Sequence, residues 1–174
     1  IMIAMKKMPA ILAILAVGST LAMCTAAVTD AQTKTKSKME TTPDNSAPAN
    51  PAGMQSVIVA GGCFWCIEPL FEELEGVSVA ESAYVGGAKK GVSYEEVCSG
   101  ASGHAEALRV VFDPKKITAH DILTIFMTIH NPTTLNRQGG DSGTQYRSAI
   151  FFNNAEEKAL GEKVIKEIGA AKIW

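Results

Sequence analysis

Apolar side chains recur along this chain with two periods, one fitting strands and one fitting helices. Val57-Ile58-Val59 is a run of branched apolar residues that predicts a short buried strand. Gly61-Gly62 supplies a tight turn, and beyond it Ile67, Leu70, Phe71 and Leu74 recur at helical spacing. Strand, glycine turn and helix start place Cys63 at or just before a helix N-terminus. Residues 76–85 alternate well enough for a second strand, closed by Gly86-Gly87. Tyr94 to Cys98 predicts a short helix, with Ser93 as N-cap and Glu96 completing a capping box. After a loop over 99–103, Ala105 to Phe112 predicts a strong strand ended by Asp113-Pro114. Thr118 caps a helix from Ala119 to His130, whose core face is Ile122, Leu123, Ile125, Phe126 and Ile129. A glycine- and asparagine-rich loop follows over 131–144. Gln145 to Phe152 predicts another strand, and Asn154 begins a last helix over 155–168. Interleaved strands and helices, with hairpin-like neighbours possible, predict a two-layer α+β domain.

The first 55 residues carry none of this periodicity. Lys6 and Lys7 form a positive start, Ala10 to Ala16 an apolar run, and small residues follow around Thr25-Ala26-Ala27, which together predict an export signal over 1–27. Gly18, Ser19 and Thr20 interrupt the run too early for a transmembrane span. Cys24 stands where a lipoprotein cysteine could stand, although Met23 before it is larger than the small residue expected there. The expected location is therefore the periplasm or envelope, with contact to the membrane only through the signal or a lipid. Residues 28–55 alternate Lys with Thr and Ser and then carry Pro43, Pro48 and Pro51, a composition that predicts a flexible tether. The domain is expected over 56–174.

The 174 residues are 47% hydrophobic and 20% charged with a net charge of -2, an ordinary globular balance without the basic footprint of a nucleic-acid binder. Of the four cysteines, three lie in the domain, and a domain this long needs no staples. The arithmetic favours chemistry over scaffolding. Helix-start N–H groups and the dipole predict that Cys63 ionises more readily than a free cysteine, although a cysteine is also among the most commonly buried residues. The polar residues near strand ends are Tyr84, His104, Glu106, Asp141 and Tyr146. A tyrosine there is often only an anchored core residue. Glu106 carries more information, because Ala105, Ala107 and Leu108 give it no amphipathic reason to be there. A carboxyl in an apolar pocket has its pKa raised and can give a proton to a departing oxygen.

Several segments together resemble the A-type peptide methionine sulfoxide reductases. They are G-C-F-W-C at 62–66 with Gly61 before it, A-Y-V-G-G at 83–87, Y-E-E-V-C-S-G at 94–100 and G-H-A-E-A at 103–107. The likeness continues with V-F-D-P at 111–114, H-N-P at 130–132 and G-D-x-G-T-Q-Y-R-S at 140–148. It covers most of residues 57–168, in the family's order. The resemblance implies an α+β two-layer sandwich with a mixed sheet and flanking helices. It implies reduction of the S epimer of methionine sulfoxide, free or in oxidised proteins, as a repair activity needing no cofactor and no metal. On this reading Cys63 attacks the sulfoxide sulfur, and Glu106 hydrogen-bonds and protonates its oxygen. Tyr84 and Tyr146 hold that oxygen, Asp141 lines the site, and Phe64 and Trp65 form the aromatic wall for the methyl group. A thioredoxin-type reductant is the implied partner. Many members have glycine where this chain has Cys66, and use a resolving cysteine in a C-terminal tail. This chain stops at Trp174 and is expected to be truncated or a short form, which leaves Cys66 as first and Cys98 as second resolving candidate. Two other readings of the cysteines stay open. A thioredoxin-like oxidoreductase also opens on strand, turn and C-x-x-C, but would need a proline facing the cysteines before a later strand, and Pro114 and Pro132 follow a strand and a helix. A non-enzymatic metal module would need a second ligand pair, which Cys98 and His104 do not make.

Overall fold

The computed structural model describes residues 4–7, 13–14 and 49–174. In chain order its strands are β1 (Ala4–Lys7), β2 (Ala13–Ile14), β3 (Gln55–Ala60), β4 (Val77–Val85), β5 (Ala105–Phe112), β6 (Arg137–Gln138), β7 (Asp141–Ser142) and β8 (Ala149–Phe152). The helices are α1 (Phe64–Glu72), α2 (Tyr94–Cys98), α3 (Ala119–Ile129) and α4 (Ala155–Ala170). Six strands form one sheet in the order β1-β8-β3-β5-β4-β2, with β1 parallel to β8 and the other pairs antiparallel; β6 and β7 make a separate hairpin. The sheet is mixed, and α1, α3 and α4 pack on its β4–β5, β3 and β8 regions respectively, so the α+β class holds.

β5 is the centre of the sheet, and this explains its sequence. All eight of its residues are buried. Leu108, Val110 and Phe112 share one core with Ile67, Phe71, Phe126, Met127 and Val164 from the helices. Ala105 and Ala107 meet Ile58, Ala60, Ala83, Val85, Ala149 and Phe151 in another. A strand buried on both faces has no reason to alternate. Glu106 and Arg109 are the polar residues of β5, and Arg109 is ion-paired to Glu81 on the neighbouring strand at 3.0 Å.

Local rules account for the helix starts. Ser93 and Thr118 both close capping boxes, with Glu96 and Asp121. Asn154 caps α4 through the Glu157 N–H at 2.9 Å. In α1 the buried face is Phe64, Ile67 and Phe71; of the other apolar residues at helical spacing, Leu70 is half exposed and Leu74 lies beyond the helix end.

Three boundaries differ from the sequence expectation. β8 starts at Ala149, because Thr144–Tyr146 winds into a 3₁₀ turn held by the Arg147 guanidinium on the Thr144 carbonyl at 2.7 Å. The loop expected over 131–144 contains the β6–β7 hairpin. The expected tether ends earlier than residue 55, since β3 begins at Gln55 and the Asn50 side chain accepts from Arg109 at 2.7 Å. The rest of the tether, Cys24, and most of the segment read as an export signal lie outside the described residues. The described parts of that segment are β1 and β2, each at an edge of the sheet.

Candidate active site

Cys63 is the N-cap of α1, with extended backbone angles (φ -62°, ψ 121°) and α1 starting at the next residue. The turn before it is tightly held. A Cβ on Gly61 would stand 2.8 Å from the Phe126 ring and 3.0 Å from the His130 ring. Gly62 has φ +99°, a region only glycine enters cheaply. His130, buried at the end of α3, places Nδ1 2.6 Å from the Phe126 carbonyl and Nε2 2.8 Å from the Ser148 hydroxyl. A carbonyl only accepts, so Nδ1 carries the proton and Nε2 accepts from Ser148. Burial pushes the His130 pKa down and keeps the ring neutral.

Glu106 and Tyr84 are directly opposite one another on β5 and β4. Both are buried, 3% and 2% exposed. The backbone N–H of Phe64 donates to the Glu106 carboxyl at 3.2 Å. Burial raises the Glu106 pKa, the Phe64 N–H partly offsets this, and the negative charge of Asp141 adds to the rise. The sequence argument for a carboxyl biased toward its protonated form is met in direction and cause.

The Cys63 thiol departs from expectation. Its pKa is raised, not lowered. Burial is the largest cause, and the Cys66 thiol and the Glu106 charge act in the same direction, while the Trp65 backbone N–H favours the thiolate. The helix-start effect exists, but desolvation outweighs it. Cys63, Cys66 and Cys98 are all free thiols. Cys66 is exposed one turn along α1, and its side chain hydrogen-bonds the Cys63 thiol.

The aromatic residues frame this pair. Phe64 is buried with ring centroids 5.7 Å from Trp65 and 5.5 Å from Tyr84. Trp65 is 65% exposed and stacks on Tyr94 at 6.4 Å and 11°. Burial, and then the charges of Glu106 and Cys98, push Tyr84 up to about 12. Tyr146, in the 3₁₀ turn, is raised by burial and by Glu106, Asp141, Cys98 and Cys63. Asp141 opens β7 and is exposed. The structure therefore brings Cys63, Cys66, Phe64, Trp65, Tyr84, Glu106, Asp141 and Tyr146 to one place; Glu106, Tyr84 and Phe64 line its buried side, and Trp65 and Asp141 its open side.

A thiol beside a biased carboxyl and phenols suits attack on a polar X=O bond whose oxygen must leave protonated. Residues 55–174 match the family model described as peptide methionine sulfoxide reductase. The chain belongs to this family. Its sequence is 46% identical over 121 residues to peptide methionine sulfoxide reductase MsrA of Polynucleobacter asymbioticus, covering 70% of this chain and 64% of that protein. A second MsrA, of Deinococcus radiodurans, is 45% identical over 131 residues, 75% of this chain and 64% of the relative. The chain thus spans a little under two thirds of the length of these curated relatives. Among solved structures, methionine sulfoxide reductase A of Corynebacterium diphtheriae superposes with a TM-score of 0.63 at 31% identity, over 75% of this chain and 64% of that one. Reduced Mxr1 of Saccharomyces cerevisiae gives 0.66 at 33%, over 70% and 72%. The same yeast protein in complex with Trx2 gives 0.51 at 23%, over 70% of each chain, and speaks for the fold alone.

Sequence reasoning missed Tyr94. It is half exposed, stacked on Trp65, and hydrogen-bonded to Cys98, which pushes its hydroxyl up to about 12. The signal available was its place as first residue of a capped helix in the family motif Y-E-E-V-C-S-G. Reading it as a helix former hid it. Cys98, whose position depended on the fold, lies in this cluster too, and its charge acts on Tyr84, Tyr94 and Tyr146.

Proposed function

We propose that this chain reduces the S epimer of methionine sulfoxide, free or in oxidised proteins, to methionine. The observation that carries this is the Phe64 N–H bond to a buried, proton-biased Glu106, immediately beside the Cys63 thiol. Family membership supports the same activity. The Cys63 sulfur attacks the sulfoxide sulfur while Glu106 supplies a proton to the oxygen, which is held by phenols; Tyr84, Tyr94 and Tyr146 are the ones present. The S–O bond breaks with the protonated oxygen leaving as hydroxide or water; water then attacks the Cys63 sulfur, the new S–S bond breaks, and methionine leaves with Cys63 as sulfenic acid. Phe64 and Trp65 offer flat apolar faces to the methyl group. Cys66 then condenses with the sulfenic acid, forming a disulfide and releasing water. A thioredoxin-type dithiol reduces that exposed disulfide; the yeast relative solved with Trx2 is consistent with such a partner. An exported location is part of this proposal, from the Lys6-Lys7 start and the apolar run after it.

The test is to supply each epimer of a methionine sulfoxide peptide with dithiothreitol. Methionine from the S epimer supports the reading. Activity on neither epimer, with disulfide reductase activity on other substrates, favours the thioredoxin-like reading instead. Fractionation of cells for the mature chain tests export; uncleaved protein in the cytosol would overturn it.

A further inference from the structure

The residue before the nucleophile is braced by a side chain that has no chemical part in the reaction. A Cβ on Gly62 would stand 2.7 Å from both Cβ and Cγ of Gln138, so the Gln138 stem lies directly against the Gly62 backbone. The far end of the same side chain is fixed. The Asn131 N–H donates to Gln138 Oε1 at 3.2 Å, and Gln138 Nε2 donates to the Asn131 carbonyl at 3.2 Å. Its backbone is fixed as well, since Gln138 pairs with Asp141 across the β6–β7 hairpin. One side chain thus joins the left-handed Gly62 turn, the chain leaving α3 and the strand that carries Asp141.

We propose that Gln138 is a positioning residue, setting the Gly62–Cys63 turn against Asp141 and the rest of the site. This rests on the reductase reading for its catalytic consequence, but the geometry does not depend on it. A displacement of about 1 Å at a reacting group can cost about 10²-fold in rate. The amide is also specific. It must accept from one Asn131 group and donate to the other, which a carboxylate cannot do.

Two variants test this, each with two readouts: steady-state methionine formation with dithiothreitol, and alkylation of Cys63 by iodoacetamide followed by mass spectrometry. Gln138→Ala is expected to lower kcat about 10–100-fold with KM little changed, to alter the Cys63 alkylation rate severalfold, and to leave the melting temperature near wild type. In Gln138→Glu the new carboxylate would face the Asn131 carbonyl oxygen, with Asp141 opposite and Arg137 beside it in the hairpin. Protonation restores the donor, so its rate relative to wild type should climb on acidification toward pH 5. A wild-type chain inactive on sulfoxides would sink the reductase reading, while the alkylation comparison would still decide the role of Gln138. Gln138→Ala with kcat within about twofold and alkylation unchanged would overturn the inference. If that variant does not fold, a Gln138→Glu to wild-type ratio flat across pH, in both readouts, would do so.

Discussion

Glu106 accepts its hydrogen bond from Phe64, the residue next to Cys63, so acid and nucleophile are tied through a single peptide unit. The first turn of α1 fixes both at once: its N-cap is the thiol, and its first N–H holds the carboxyl. β5 supplies the carboxyl from the most buried strand of the sheet, where few motions can carry it away.

This coupling sets the pH dependence. Both pKa values are raised, that of Glu106 above 4.5 and that of Cys63 above 9.0, and in the pH range between them the pair holds one proton, as thiol and carboxylate. The reactive pair, thiolate with protonated carboxyl, has the same number of protons and is its minor tautomer. Wild-type kcat/KM should therefore rise through the Glu106 pKa, stay level, and fall as Cys63 ionises. Glu106→Gln should lose about 10²–10⁴-fold at neutral pH and then climb with pH as thiolate accumulates. Parallel wild-type and mutant profiles would remove Glu106 from the proton transfer.

The resolving step separates Cys66 from Cys98. Cys66→Ser should still form one methionine per chain, and should lose most thioredoxin-driven turnover. After one equivalent of sulfoxide, peptide mapping of the wild type should find a Cys63–Cys66 bridge. A Cys63–Cys98 bridge would assign the step to the thiol beside Tyr94.

The turn behind Cys63 makes a stability prediction. Gly61→Ala would push a methyl group to 2.8 Å from the Phe126 ring, and overpacking of this kind costs about 1–3 kcal/mol, measurable by urea unfolding. His130 adds a pH term. Its folded pKa lies below the unfolded value of about 6.5, so the unfolded chain binds the proton more readily. Its contribution is fully present above pH 6.5 and is lost as pH falls through the folded value. His130→Gln should flatten that part of the stability profile; an unchanged slope would show that His130 does not titrate on unfolding.

Much of this was legible in the sequence, and the remainder has physical reasons. The capping box at Ser93, the N-cap at Thr118 and the strand 105–112 follow from local rules, and the structure has them where expected. Glu106 was legible as a candidate because Ala105, Ala107 and Leu108 beside it offer no amphipathic pattern, and its burial then separates it from a solvent-facing carboxyl. The β6–β7 hairpin was not, since two-residue strands have no period, and the 3₁₀ turn at Thr144–Tyr146 is held by Arg147 rather than by its own propensity. The sign of the Cys63 shift was misread because the helix start is local, whereas the desolvation that outweighs it comes from burial set by the whole fold.

In the proposed function Cys63 supplies the two electrons that reduce the sulfoxide and ends as sulfenic acid. A rapid-quench single turnover without reductant, on the S epimer, tests it most directly. The expected result is about one methionine per chain, loss of two thiols mapped to Cys63 and Cys66, and no methionine from Cys63→Ser. Methionine formed by Cys63→Ser at the wild-type rate would contradict it.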